Sequence, residues 1–317
     1  MAEKQPERRV LLSAVAVLVV VGVFGFLGWR LWLDRELLRN IDWSAHPALW
    51  LAHFFFLAIL FGLATLGWIR IVRLFSGELG PLAGACVWLA SNVGKYIPGK
   101  VFMFAGRVEL ARRLGVRPAV SMSALALEHV VQLVAASPFL LWVLFHGFRF
   151  ESEKMWLVLL AALLPAFVFI LRPSLLVAAA NFALRLTHRS SLVATPGLRD
   201  SAVLLAVYLA CWLAYGSSGL VLIEALGFGP AVPTVDVIAA FVAAWMIGFL
   251  SLITPAGIGV REAVLVLLLR STLSTSQAIT VALLARLSWT LVEMVGVLIG
   301  LLIGRRLVTP GASPARE

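Results

Sequence analysis

Charge is what this sequence has least of. Asp and Glu number 16 in 317 residues, and charged residues of both signs make up 13%, about half the share a water-soluble globular domain carries. A soluble fold is excluded on that ground. Cysteine is almost missing as well: Cys86 and Cys211 each sit inside an apolar run, where a thiol acts as a small hydrophobe, so neither a disulfide framework nor a thiolate metal site is expected. The chain has no His/Cys/Asp/Glu grouping with metal-ligand spacing, no nucleophile elbow and no phosphate-cradling glycine loop. No cofactor, no metal and no enzymatic centre are expected. Polar and apolar residues do not alternate strictly anywhere, which excludes the strands of a membrane barrel.

What is present is apolar surface. Hydrophobic residues make up 62% of the chain, and the mean hydropathy is +1.00. Runs without charge cover residues 10–29, 47–69, 201–223 and 237–260, each meeting the roughly 20 residues a bilayer-spanning helix needs. Helices are the only open-chain element that satisfies its own backbone in lipid. The formal net charge of +10 collects in short loops between those runs, the pattern of cytoplasmic loops. No basic face interleaves with aromatics for base stacking, so nucleic acid is excluded as a partner and anionic headgroups meet the surplus instead.

These observations predict an all-α, polytopic membrane protein, a single membrane domain over 1–317 with about 8 membrane helical segments. Lys4, Arg8 and Arg9 put the N-terminus in the cytoplasm, and residues 1–30 form an N-terminal anchor helix. That run is too long for a secretory h-region and has no small-residue cleavage site. Residues 31–46 suit a short interfacial helix. The first half covers 47–146, a connecting helix and interfacial segment cover 155–190, the second half covers 200–306, and 307–317 are a tail behind Arg305 and Arg306. Both termini are expected in the cytoplasm, and the plasma or inner membrane is the expected location.

Each half contains a break. The run ending at Tyr96-Ile97-Pro98-Gly99-Lys100 is only about 15 residues long, and the segment behind it ends at Arg112 and Arg113; neither arm reaches across a core of about 30 Å. The second break is Thr254-Pro255-Ala256-Gly257-Ile258-Gly259, where helical hydrogen bonds are lost. Two re-entrant or broken hairpins entering from opposite faces, each followed by a long helix, make the outline of an inverted repeat. Interrupted apolar segments at matching places in two halves point to a midplane site.

Buried charge marks the same places. Glu128 lies ten residues into its helix, and Arg286 is at similar depth in the last one. Glu293 follows Arg286 by seven residues and shares its face. A lipid-exposed charge at that depth costs at least about 2.5–3.5 kcal/mol, so all three should face a protein interior or a wet cavity. Arg107, Glu109, Arg261 and Glu262 follow the hairpin tips, and Lys95 and Lys100 flank the first. A shared polar cleft built from them would suit a phosphate headgroup, with Arg107, Arg261 and Arg286 as its partners. The bland reading is a set of structural ion pairs. His129 and His53 are read as hydrogen-bonded packing residues, and Gly296, Gly300 and Gly304 as a ridge for close helix packing.

Three stretches resemble the lysylphosphatidylglycerol synthase transmembrane, or flippase-like, family. They are Asn92-Val93-Gly94-Lys95-Tyr96-Ile97-Pro98-Gly99-Lys100 with Gly106-Arg107, then Glu128-His129, and Pro255-Ala256-Gly257-Ile258-Gly259-Val260-Arg261-Glu262 with Arg286 and Glu293. The resemblance runs from about residue 10 to 306. It implies a membrane domain that binds and translocates an anionic phospholipid or a polyprenyl-linked glycolipid, with a substrate site drawn from Asn92, Lys95, Pro98, Gly99, Lys100, Arg107, Glu128, Pro255, Gly257, Gly259, Arg261, Glu262, Arg286 and Glu293. Members commonly carry two glycines after the second hairpin proline, where this chain has Ala256. Members with synthase activity have a large soluble domain behind the membrane part, so that activity is not expected here. Two alternatives stand beside translocation: a non-catalytic partner of a separate glycosyltransferase or lipid-modifying enzyme, and a membrane transferase using Glu128 or Glu293 as base.

Overall fold

The computed structural model describes residues 46–75, 78–96, 101–147, 196–228, 233–251 and 255–307, with isolated positions between 25 and 35 and between 164 and 174. Among these residues the regular structure is entirely helical. Numbered in chain order, α1 spans Pro47–Leu74, α2 Pro81–Ser91, α3 Val101–Arg113, α4 Pro118–Gly147, α5 Leu198–Ala225, α6 Thr234–Leu250, α7 Val260–Leu269 and α8 Thr275–Leu307. A 3-10 turn, Asn92–Tyr96, follows α2, and another, Pro255–Gly257, precedes α7. The expected segments 1–30, 31–46 and 155–190, and the first hairpin tip at Pro98, Gly99 and Lys100, fall wholly or largely outside the described residues.

Helix starts follow from the sequence. Pro47 and Pro81 occupy the first turns of α1 and α2, where the missing N–H has no intrahelical use. Asp200 and Asp236 sit in the first turns of α5 and α6, against the positive end of each helix dipole. α3 stops at Gly115, whose φ of 88° takes the left-handed conformation that closes a helix.

Length divides the helices into two kinds. Pro47–Leu74, Pro118–Phe145, Leu198–Ala225 and Thr275–Arg305 are long and apolar enough to cross a membrane. α2, α3 and α7 have 11, 13 and 10 residues, about 15–20 Å each, well short of a core of about 30 Å. Exposure agrees with a lipid solvent: Leu51, Phe55 and Leu66 on α1, and Leu291, Val295, Leu298 and Leu302 on α8, are large apolar side chains turned outward. Arg107, Glu128, Arg261, Arg286 and Glu293 are buried. The chain is a multi-pass helical membrane protein.

The packing partners follow one pattern. α1 lies along α5, with His53 against Ser218, Leu60 against Cys211, Gly67 against Tyr208, and Arg70 against Asp200; the numbers fall on one helix as they rise on the other, so the pair is antiparallel. α2 packs on α8, and α6 packs on α4. Every helix contact in the first half has its counterpart in the second, α1 with α2 matching α5 with α6, and α3 with α4 matching α7 with α8. Close approach along these seams needs small residues. A Cβ on Gly300 would lie 2.9 Å from the backbone nitrogen of Ala90, so the glycine ridge of α8 serves internal assembly against α2.

Candidate functional site

Among the described residues, each of the eight helices and both 3-10 turns contribute to one open cavity. Its charged lining is Lys95, Arg107, Glu128, Arg261, Arg286 and Glu293, with Asn92 and Ala256 beside them. The rest is largely aromatic: Phe61, Trp88, Tyr208, Trp212, Trp245, Phe249 and Trp289. The ionisable residues read from sequence as intramembrane charges therefore meet at one place, although more than 100 residues separate Glu128 from Arg261.

Arg107 is fully engaged. It is 2% exposed and donates to Glu128 at 2.7 Å, to the Ser91 hydroxyl at 2.9 Å and to the Asn92 side-chain oxygen at 3.3 Å. Its guanidinium also lies 5.6 Å from the Trp68 ring centre and 5.3 Å from that of Trp88. The second oxygen of Glu128 accepts the Trp88 indole N–H at 2.9 Å. This is a buried pair with its remaining hydrogen-bonding groups met, the condition under which two charges survive in low dielectric.

Glu293 is held in a similar way. Lys95 pairs with one of its oxygens, and the Tyr96 hydroxyl donates to the other at 2.6 Å. The sequence places Glu293 and Arg286 on one face of α8, and both line the cavity. Arg286 donates both terminal nitrogens to the Ala256 carbonyl at 3.3 Å. Its Nε lies 3.5 Å from Glu262, close enough for Coulomb attraction but outside hydrogen-bond geometry.

Arg261 differs. It is 5% exposed, it donates to the Tyr215 hydroxyl, and its guanidinium lies 5.1 Å from the Tyr215 ring centre and 4.6 Å from that of Trp289. Among the described residues no carboxylate lies within ion-pair distance of it. Two aromatic faces and a phenol offset part of its burial.

The second turn holds these groups in place. Ala256 has φ 50° and ψ 19°, and Gly257 has φ 71°, two successive left-handed residues that aim the Ala256 carbonyl at Arg286. A Cβ on Gly257 would lie 2.6 Å from the Gly248 carbonyl oxygen, and one on Gly248 would lie 2.8 Å from the Cβ of Arg261. The turn thus packs directly on the end of α6. The Gly259 N–H donates to Glu262 at 2.6 Å, so a carboxylate of the chain itself takes an amide at the start of α7.

Gly257, Gly259 and Glu262 support the turn and do not line the cavity, and only the backbone of Pro255 is described. Pro98, Gly99 and Lys100 lie outside the described residues. Glu109 is not in the cavity: it is exposed and pairs with Arg112 and Arg113, because it falls two residues after Arg107 and so points to another side of α3. The hydrogen bonds from Arg112 and then Arg113 hold its carboxyl down to about 2. His53 donates its Nδ1–H to the Ser218 carbonyl at 2.8 Å, since a carbonyl oxygen only accepts. His129 bonds the Leu125 carbonyl in the same way at 2.7 Å and stacks on Phe249. Both are packing residues, His129 at the cavity wall.

Sequence reasoning missed the aromatic seats. Tyr208 and Tyr215 are seven residues apart and share a face of α5, and Trp289 lies between Arg286 and Glu293 at helical spacing. That periodicity was a usable signal. Ser91 had none, since its value depends on where α2 ends.

Compared with known families, residues 10–296 match the model described as lysylphosphatidylglycerol synthase TM region. No curated protein matches the chain.

Proposed function

The chain belongs to the lysylphosphatidylglycerol synthase TM region family, and from that premise we propose that it binds and translocates, in flippase-like fashion, an anionic phospholipid or a polyprenyl-linked glycolipid. The observation that carries this reading is a cavity into which both halves deliver buried cations among aromatic walls. A headgroup phosphate is the chemistry such cations fit, and the apolar outer surface leaves lipid as the reservoir from which a ligand enters.

The same reading covers the architecture. The antiparallel α1–α5 pair and the matched contacts of the two halves support an inverted repeat, with α2–α3 and α6–α7 as hairpins dipping in from opposite faces. The cavity then lies at the interface of the halves, where an inverted repeat alternates access around a fixed site. Both termini lie in the cytoplasm of a cell whose plasma membrane holds the protein. The chain acts without lipid synthesis of its own.

Reconstitution tests it. Purified protein in vesicles with headgroup-labelled phospholipids and polyprenyl-phosphate lipids is expected to expose inner-leaflet label to an impermeant quencher faster than protein-free vesicles do. Equal rates across all anionic and polyprenyl lipids tried would sink the proposal.

A further inference from the structure

Four cationic side chains line the cavity, and three carboxylates answer them. Glu128 takes Arg107, Glu293 takes Lys95, and Glu262 stands behind Arg286. Among the described residues Arg261 is left with a phenol and two ring faces. A guanidinium so deeply buried with no carboxylate is expensive in low dielectric, and aromatic faces return only part of what hydration supplied. Lys95 and Arg107 are each paired with a carboxylate and Arg286 has Glu262 3.5 Å away, so an incoming anion competes with a carboxylate at each of those cations and at Arg261 only with the Tyr215 hydroxyl.

We propose that Arg261 is the ligand-binding cation of this cavity and that its one uncompensated charge selects a group carrying a single negative charge, a phosphodiester. This rests on the lipid-binding reading above and sharpens it. A phosphodiester oxygen set on Arg261 brings the described charges to balance. A phosphomonoester, which carries close to two charges above its second pKa of about 6, would leave one negative charge buried without a partner. Arg107 and Arg286, expected from sequence to share the phosphate, instead hold the walls.

The test is binding, kept separate from transport. Native mass spectrometry of the purified protein in detergent would compare phosphatidylglycerol (one charge), phosphatidic acid at pH 8 (nearly two) and phosphatidylcholine (none net). Glycerophosphoglycerol, the same headgroup without acyl chains, separates headgroup affinity from lipid affinity. Wild type is expected to retain phosphatidylglycerol over the other two. Arg261→Gln should lose about ten-fold or more of that affinity, the worth of a charge-assisted hydrogen-bonded contact, and Arg261→Lys should keep part of it. A circular-dichroism melt like that of wild type shows that the variant is folded. If Arg261→Gln fails that melt, the wild-type preference among the three lipids decides alone. Retention of phosphatidic acid or phosphatidylcholine equal to phosphatidylglycerol, or unchanged binding in folded Arg261→Gln, overturns the inference. A wild type that binds phosphatidylglycerol selectively but moves no lipid leaves the inference standing and removes translocation.

Discussion

At the residue scale, the buried charges divide into those that hold the fold and one that the fold leaves open. Arg107 and Glu128 depend on each other, so Arg107→Gln or Glu128→Gln strands a buried partner and is expected to destabilise by roughly 3–5 kcal/mol. Replacing both with leucine removes the stranded charge, and thermal melts in detergent should place Arg107→Leu/Glu128→Leu above either single variant. A double variant no better than the worse single would mean the two side chains act independently. Glu109 is the control. Its carboxyl is held at about 2 against an ordinary 4.5, so its attraction to Arg112 and Arg113 is complete above 4.5 and is lost as the pH falls through 2. Melting temperatures taken along that range should decline less in Glu109→Gln than in wild type, by a small margin since the group is exposed. Lipid binding should not change.

At the element scale, the breaks were legible and the partners were not. Pro255 with Gly257 and Gly259, and a run too short before Tyr96, announce interrupted helices, because a proline followed closely by glycines free to take left-handed backbone breaks the hydrogen-bond ladder, whereas Pro138, with no glycine near it, stays inside α4. The four long helices were legible for a similar reason, since length and lack of charge decide whether a helix suits lipid. Which carboxylate answers which cation depends on how each helix is rotated about its axis, and a sequence of apolar residues on every face says little about that. Hence Arg107, Arg261 and Arg286 read alike from the sequence, as partners for a phosphate. The turn itself makes a prediction at this scale. Ala256 occupies a left-handed conformation that costs an L-residue roughly 1–2 kcal/mol. Ala256→Gly should raise the melting temperature, whereas Gly257→Ala, with its Cβ driven to 2.6 Å from the Gly248 carbonyl oxygen, should lower it and loosen Arg261. On α8, Gly300→Leu should part α2 from α8, read as faster proteolysis between Gly80 and Pro98.

At the scale of the whole molecule, the proposed inverted arrangement fixes which loops face which side. In a background with Cys86 and Cys211 replaced by alanine, a cysteine at exposed Thr234 is expected to react with an impermeant maleimide on intact cells. One at exposed Arg113 should react only after permeabilisation. The same pattern at both positions would rule out hairpins that enter from opposite faces. A set of helix contacts that maps onto itself when the halves trade places has no preferred sense of its own: tipping the bundle one way or the other builds much the same interfaces. Polarity must then come from whatever departs from the match, and the clearest departure is that one guanidinium is fully occupied while the other, against Tyr215 and Trp289, awaits a guest.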